Sequence, residues 1–110
     1  MTFDEYQKQA MTTAIATEHN LETLYYRALG LANEAGEVAG KIKKIIRDRD
    51  GKIDDEYRHM ITSEMGDVLW YLQALAEFFD IPLNDLAEEN LAKLASRQKR
   101  GTIHGDGDKR

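Results

Sequence analysis

Two short segments hold the residues whose types and spacing could do chemistry. Leu31 to Ala39 reads LANEAGEVA and Ser63 to Leu69 reads SEMGDVL, so each carries two acids three residues apart, a glycine between them and a valine after. Residues three apart on a helix share a face, with Cβ atoms about 5 to 6 Å apart, so Glu34 with Glu37 and Glu64 with Asp67 each form a carboxylate pair. In both segments the acids interrupt an apolar row: Leu31, Glu34 and Val38 in the first, Met60, Glu64, Asp67 and Tyr71 in the second. One E-x-x-E in a chain with 32% charged residues is most often a solvated helix face. Two that share glycine, valine and an interrupted stripe form a specific combination. Partly buried like charges repel one another and take up protons unless a cation joins them. With no cysteine in the chain and no histidine well placed beside the acids, the donor set is oxygen alone, which suits hard ions such as Mg2+, with Mn2+ as a substitute. Gly36 and Gly66, each costing about 0.5 to 1 kcal/mol in a helix interior, fit a close approach by a neighbouring helix or a ligand. A di-iron centre needs E-x-x-H on two helices, and Glu56 with His59 is a single instance, so His59 reads as a surface residue.

The sequence that carries these pairs reads as four helices. Thr2 with Glu5 makes a capping-box pattern before Phe3, Tyr6, Ala10, Met11, Ala14 and Ile15, which predicts a first amphipathic helix over about residues 3 to 17. Asn20 caps a second, with Leu24, Leu31, Val38, Ile42, Ile45 and Ile46 as its apolar positions, ending near Arg47 before the Asp50-Gly51 turn. Asp54 or Asp55 opens a third, whose inner face is Met60, Ile61, Met65, Val68, Leu69, Leu72, Leu75, Ala76 and Phe79. Pro82 stops that helix and suits the first turn of a fourth, carrying Leu83, Leu86, Ala87, Leu91 and Leu94. No window alternates as a strand does, so the expected architecture is all-α, an antiparallel bundle of four main helices. The expected division is one helical domain over residues 1–100 and a Gly-rich basic tail over 101–110. The tail, GTIHGDGDKR, reads either as an unstructured end or as a flap that closes on a substrate.

Composition narrows the class. At 110 residues the chain fits one compact domain with a modest core. The absence of cysteine excludes disulfides and thiolate metal sites and is compatible with a reducing cytoplasm. No apolar run approaches the roughly 20 residues that span a bilayer, and MTFDEYQKQ lacks the basic and apolar regions of a signal peptide, so no membrane association is expected and a cytoplasmic location is. The net charge of −5 argues against direct nucleic-acid binding through a broad positive field. The charge is uneven, however: residues 97–110 carry +3 and the remainder −8. A basic end on an acidic body suits a phosphate held through cations.

The array Glu34-x-x-Glu37 followed by Glu64-x-x-Asp67 resembles the MazG-like all-α nucleoside triphosphate pyrophosphohydrolases, whose signature is E-x-x-E then E-x-x-D. LANEAGEVAGKIKK and EMGDVLWYL read like that family's two metal-binding helices, and ENLAKLASRQKRG resembles its following N-x-x-K-L-x-x-R segment. The likeness covers about residues 24 to 101, and IHGDGDKR looks like the ends of short phage and bacterial members. The resemblance implies an enzyme that cleaves a ribo- or deoxyribonucleoside triphosphate between the α and β phosphates, with Mg2+ as cofactor, releasing the monophosphate and pyrophosphate; nucleotide-pool clean-up is a role open to the family. It implies that Glu34, Glu37, Glu64 and Asp67 are the metal-binding and catalytic residues, and it leaves open which of them activates water. Tyr71, one turn beyond Asp67, lies where the family places an aromatic against the sugar. Asn90, Lys93 and Arg97 fall in one row of the fourth helix, where they would bind phosphates; Lys99 and Arg100 add charge nearby. The family's catalytic unit is usually a homodimer or a tetramer of dimers, so a second subunit is expected to complete the four-helix core, with Trp70, adjacent to Tyr71 but facing elsewhere, in the core or at the subunit interface. The competing reading is a non-catalytic nucleotide-binding or protein-interaction helical module that keeps the acids without turning over.

Overall fold

The computed structural model describes all 110 residues and contains four helices and no strand: α1 (Phe3–Met11), α2 (Leu21–Asp48), α3 (Asp55–Phe78) and α4 (Leu83–Arg100). None of them is long and apolar enough to cross a membrane. Three helix starts follow from local chemistry. The side chains of Thr2, Asn20 and Asp54 accept hydrogen bonds from the backbone N–H groups of Glu5, Thr23 and Tyr57, each satisfying one of the donors a helix start leaves free.

The fourth start is made differently. Pro82 is the cap residue rather than part of the first turn, and it offers no side-chain acceptor. α1 supplies the acceptors instead: Gln7 Oε1 takes the N–H of Leu83 at 3.0 Å and Asp4 Oδ1 that of Asn84 at 2.9 Å. The amide of Gln7 also donates to the carbonyls of Gln73 and Ile81, so one side chain joins α1 to the α3–α4 corner. At that corner Asp80 adopts a left-handed φ of 57°, and the N–H of Ile81 reaches back to the Ala76 carbonyl at 2.9 Å, a C-terminal cap in the Schellman pattern.

α1 is shorter than its periodicity predicts, ending at Met11 instead of near residue 17. The hydroxyls of Thr12 and Thr13 bond to the carbonyls of Gln9 and Ala10, which ends the ladder, and the indole N–H of Trp70 donates to the Ala10 carbonyl and to Thr13 Oγ1. The segment from Thr13 to Asn20 therefore runs non-helically across α3 to the start of α2.

α2 and α3 form a long antiparallel hairpin through the Asp50-Gly51 turn, where both residues have positive φ. α1 and α4 pack on α3 and on each other, and α4 makes no contact with α2. A single chain therefore builds a hairpin with two helices against one strut, and the four do not close around a common core. The core is accordingly small: 11 residues are buried, the apolar ones being Ala10, Ile45, Tyr57, Ala74, Ala76, Phe78 and Leu83. Several positions predicted to face inward are exposed, among them Ile42, Ile46, Met60, Met65, Leu72, Phe79, Leu91 and Leu94. The radius of gyration, 16.9 Å, exceeds the roughly 13 Å of a compact chain of this length.

Arg27 is the largest fully buried side chain. Its guanidinium donates to the carbonyl of Ala74 at 2.6 Å, to that of Ala16 at 3.1 Å and to Glu77 Oε2 at 2.7 Å, tying the α1–α2 link to the last turns of α3. His19 stacks on Phe78 at 4.1 Å and bonds its carbonyl, closing the same seam.

Candidate metal and nucleotide site

The acid rows of α2 and α3 meet across the hairpin. Carboxylate oxygens of Glu34, Glu64 and Asp67 all lie within 4.8 Å of one another. Glu34 and Glu64 are half-buried and Asp67 is exposed, so the cluster sits at the edge of the helix seam and opens to solvent. None of the five ion pairs in the molecule includes any of these acids or Glu37, so no base of the chain neutralises them. The effect is visible at Glu34, whose carboxyl is pushed above its ordinary value by burial and then by the charges of Asp67, Glu64 and Glu37. Glu37 is thus close enough to be felt, but it is exposed and stands outside the three-carboxylate group.

The donor set fits a divalent hard cation. An octahedral ion with oxygen ligands at about 2.1 Å places neighbouring oxygens roughly 3 Å apart and opposite ones roughly 4 Å apart, close to the spread found here. Three acids without a base are a charge arrangement that a cation would relieve.

Beside the acids lies a cavity of about 380 Å³ lined by Thr13, Ile15, Tyr26, Glu34, Asp67, Trp70 and Tyr71. Its walls are aromatic, and they include Trp70, which was expected to face elsewhere: Trp70 and Tyr71 meet edge to face at 5.0 Å, and Tyr26 tilts against Tyr71 at 6.1 Å. The hydroxyl of Tyr71 points to that of Tyr26 at 3.4 Å, and the Tyr26 hydroxyl, then burial, then the nearby Glu34 and Asp67 hold the Tyr71 phenol up to about 12. Tyr71 is therefore a neutral hydroxyl at physiological pH. Tyr6 of α1 comes close enough to Asp67 for burial and that charge to raise its phenol as well. Room for the Tyr71 ring comes from Gly30, where any Cβ would overlap it. Gly36 and Gly66 have nothing within 4 Å of a Cβ position, so within one chain the close approach expected at these two glycines occurs at neither.

Asn90, Lys93 and Arg97 are not brought to the acids. Asn90 and Lys93 line a larger hollow of about 700 Å³, together with Leu69, Leu72, Leu83, Leu86 and Ala87, between α3, α4 and Phe3 of α1. Leu69 and Leu72 stand roughly 140 to 160° around α3 from Asp67, so this hollow opens on the other side of the helix. Lys93 and Arg97 bind Asp108 of the tail, which folds back on α4.

Tyr26 and Gly30 were legible in principle, because they precede Glu34 in four-residue steps and so extend its row along α2. Thr13, Ile15 and Tyr6 reach the site only through the non-helical link and the packing of α1, for which the local sequence holds no signal.

The chain is 46% identical to the Gene 37 protein of Mycobacterium phage L5 over 114 aligned residues, covering all of both chains. No solved structure matches it significantly. The family model described as the MazG nucleotide pyrophosphohydrolase domain matches residues 22–102, which span both acid rows and all of α4, and the chain belongs to that family.

Proposed function

We propose that the protein hydrolyses ribo- or deoxyribonucleoside triphosphates between the α and β phosphates, giving the nucleoside monophosphate and pyrophosphate, with Mg2+ as cofactor and Mn2+ able to replace it. The observation that carries the reading is the group Glu34, Glu64 and Asp67, unneutralised and within 4.8 Å, at the mouth of an aromatic cavity. Bound Mg2+ would offset the charge of the triphosphate and acidify a water at neutral pH. The residues of the chain do the rest. Glu34, Glu64 and Asp67, with Glu37 from the next turn, would hold the ion, and whichever carboxylate stays free would accept the proton of the attacking water. Tyr26, Trp70 and Tyr71 offer flat faces for the nucleoside, and the neutral Tyr71 hydroxyl is a donor for it. Asn90, Lys93 and Arg97 bind phosphate oxygens, Arg97 and Lys93 as cations.

Because α4 stands away from the acids within one chain, the reading includes a homodimer, or a homotetramer of such dimers, in which a second subunit completes the bundle. The apolar side chains exposed on α2, α3 and α4 and the open radius of gyration support it. A binding module without turnover is the second reading, favoured by the same separation of α4 from the acids.

The test is release of monophosphate and pyrophosphate from a panel of triphosphates, with Mg2+ or with EDTA, for wild type and Glu37→Gln. Metal-dependent release that the variant loses supports hydrolysis. A folded, ion-binding wild type that turns over no nucleotide refutes it in favour of the binding module.

A further inference from the structure

The tail is a compact loop built to present one carboxylate. Gly101 ends α4 in a left-handed turn with φ 72°, and the N–H of Thr102 returns to the Arg97 carbonyl at 2.8 Å. Gly105 and Gly107, with φ of 137° and 85°, continue the reversal. Arg110 closes it: its guanidinium donates to the carbonyls of Thr102 at 3.1 Å, Ile103 at 2.9 Å and Gly107 at 2.5 Å. The loop delivers Asp108 to α4, where Oδ1 takes Lys93 Nζ at 2.8 Å and Arg97 Nη2 at 3.1 Å, and the Asp108 carbonyl takes Arg97 Nη2 as well.

The two sides of this contact are unequal. Arg97 is a built feature of the fold, its side chain 7% exposed, and its Nε has no hydrogen-bond partner. The Asp108 side chain is 77% exposed and engages through a single oxygen. The cationic seat thus holds more donor capacity than its occupant uses, and it borders the 700 Å³ hollow that Lys93, Asn90 and Asp108 line. A phosphate group, with three terminal oxygens and more charge, would satisfy this seat better than one carboxylate oxygen.

We infer that Asp108 is a built-in competitor for the anion seat of Lys93 and Arg97, so that the tail must unlatch before a phosphate binds there. The inference rests on the assignment of Lys93 and Arg97 to phosphate. A latch that is closed about 80 to 90% of the time weakens the apparent affinity of the seat about five- to tenfold.

The experiment is calorimetric titration of the full chain with inorganic triphosphate in EDTA, so that no ion at the acid cluster contributes. Asp108→Asn is expected to bind about five- to tenfold more tightly than wild type. Asp106→Asn makes the same charge change in the same loop, at a side chain with no partner, and should stay within twofold. Arg110→Ala removes a positive charge, which alone would weaken anion binding, yet by opening the loop it should tighten binding as Asp108→Asn does. Equal effects of the two Asp variants, or weaker binding by Arg110→Ala, would overturn the latch and leave only net charge. If no variant binds triphosphate while nucleotide turnover is normal, the seat is not for phosphate and the inference falls with the activity intact. If the binding order holds without turnover, the latch stands and the hydrolase reading fails.

Discussion

Replacing Glu34 by Gln should have opposite effects on the metal-free and metal-loaded protein. Glu34 is in no ion pair, so the isosteric amide forfeits no such partner in the metal-free chain. It does remove a charge that faces Glu64 and Asp67 with carboxylate oxygens within 4.8 Å. Each such pair repels by about 0.9 kcal/mol at the dielectric of water, and salt and exposure leave about 0.5 to 1 kcal/mol in all. For a chain of this size that corresponds to about 2 to 6 °C in Tm, so in EDTA the variant should melt higher than wild type. Mg2+ or Mn2+ at a hundred times its Kd should add about 2.7 kcal/mol to wild type, a rise on the order of 10 °C, and much less to the variant. The assay is thermal unfolding at one fixed protein concentration, with EDTA and with the ion. A variant that melts below wild type in EDTA, or one that keeps the full ion-dependent rise, would refute the reading of these acids as a repelling group held ready for a cation.

Four further outcomes follow from the local geometry. Because the folded chain raises the Glu34 carboxyl above its ordinary 4.5, the native state keeps that proton to higher pH than the unfolded chain; the metal-free advantage of Glu34→Gln should therefore shrink as pH falls toward 4.5, while the ion-dependent rise of wild type also fades, both read by melting between pH 7.5 and 4.5. Asp108 runs the other way: Lys93 and Arg97 hold its carboxyl below the ordinary 3.8, so its contribution is present above that pH and is lost on further acidification, as hydrogen exchange of the tail amides would register. Arg27→Ala strands the Glu77 carboxylate and the Ala16 carbonyl and should cost about 2 to 3 kcal/mol in denaturant unfolding, whereas Glu77→Gln, at a half-exposed partner, should cost less than about 1 kcal/mol. Gly30→Ala drives a methyl into the Tyr71 ring and should impair both stability and nucleotide affinity, while Gly36→Ala, with open space around it, should gain about 0.5 to 1 kcal/mol in unfolding.

The parts of this molecule that follow helical periodicity were legible in the sequence, and the parts set by distant contacts were not. Caps at Thr2, Asn20 and Asp54 are formed within three residues, so each start could be read from its own segment. The same locality made the acid rows visible, since residues three and four apart must share a face wherever the helix goes. The start of α4 was displaced by one residue because its acceptors come from Asp4 and Gln7, some eighty positions away, and the end of α1 was missed because threonine hydroxyls and Trp70 claim its last carbonyls. The tail posed a different problem: its glycines announce flexibility, and only the closure of the loop by Arg110 on the Thr102 carbonyl and the reach of Asp108 back to α4 turn that freedom into a loop.

The exposed apolar residues obey a third logic. Periodicity marks Ile42, Ile46, Met60 and Met65 as an apolar stripe and so predicts burial, yet all four are exposed in the single chain. In this fold α4 turns away from α2, which leaves that stripe open and leaves the cations of α4 apart from the acids. The homodimer proposed above would answer both facts at once, since a second copy laid on the stripe would cover the apolar face and could bring its own α4 cations to the acids.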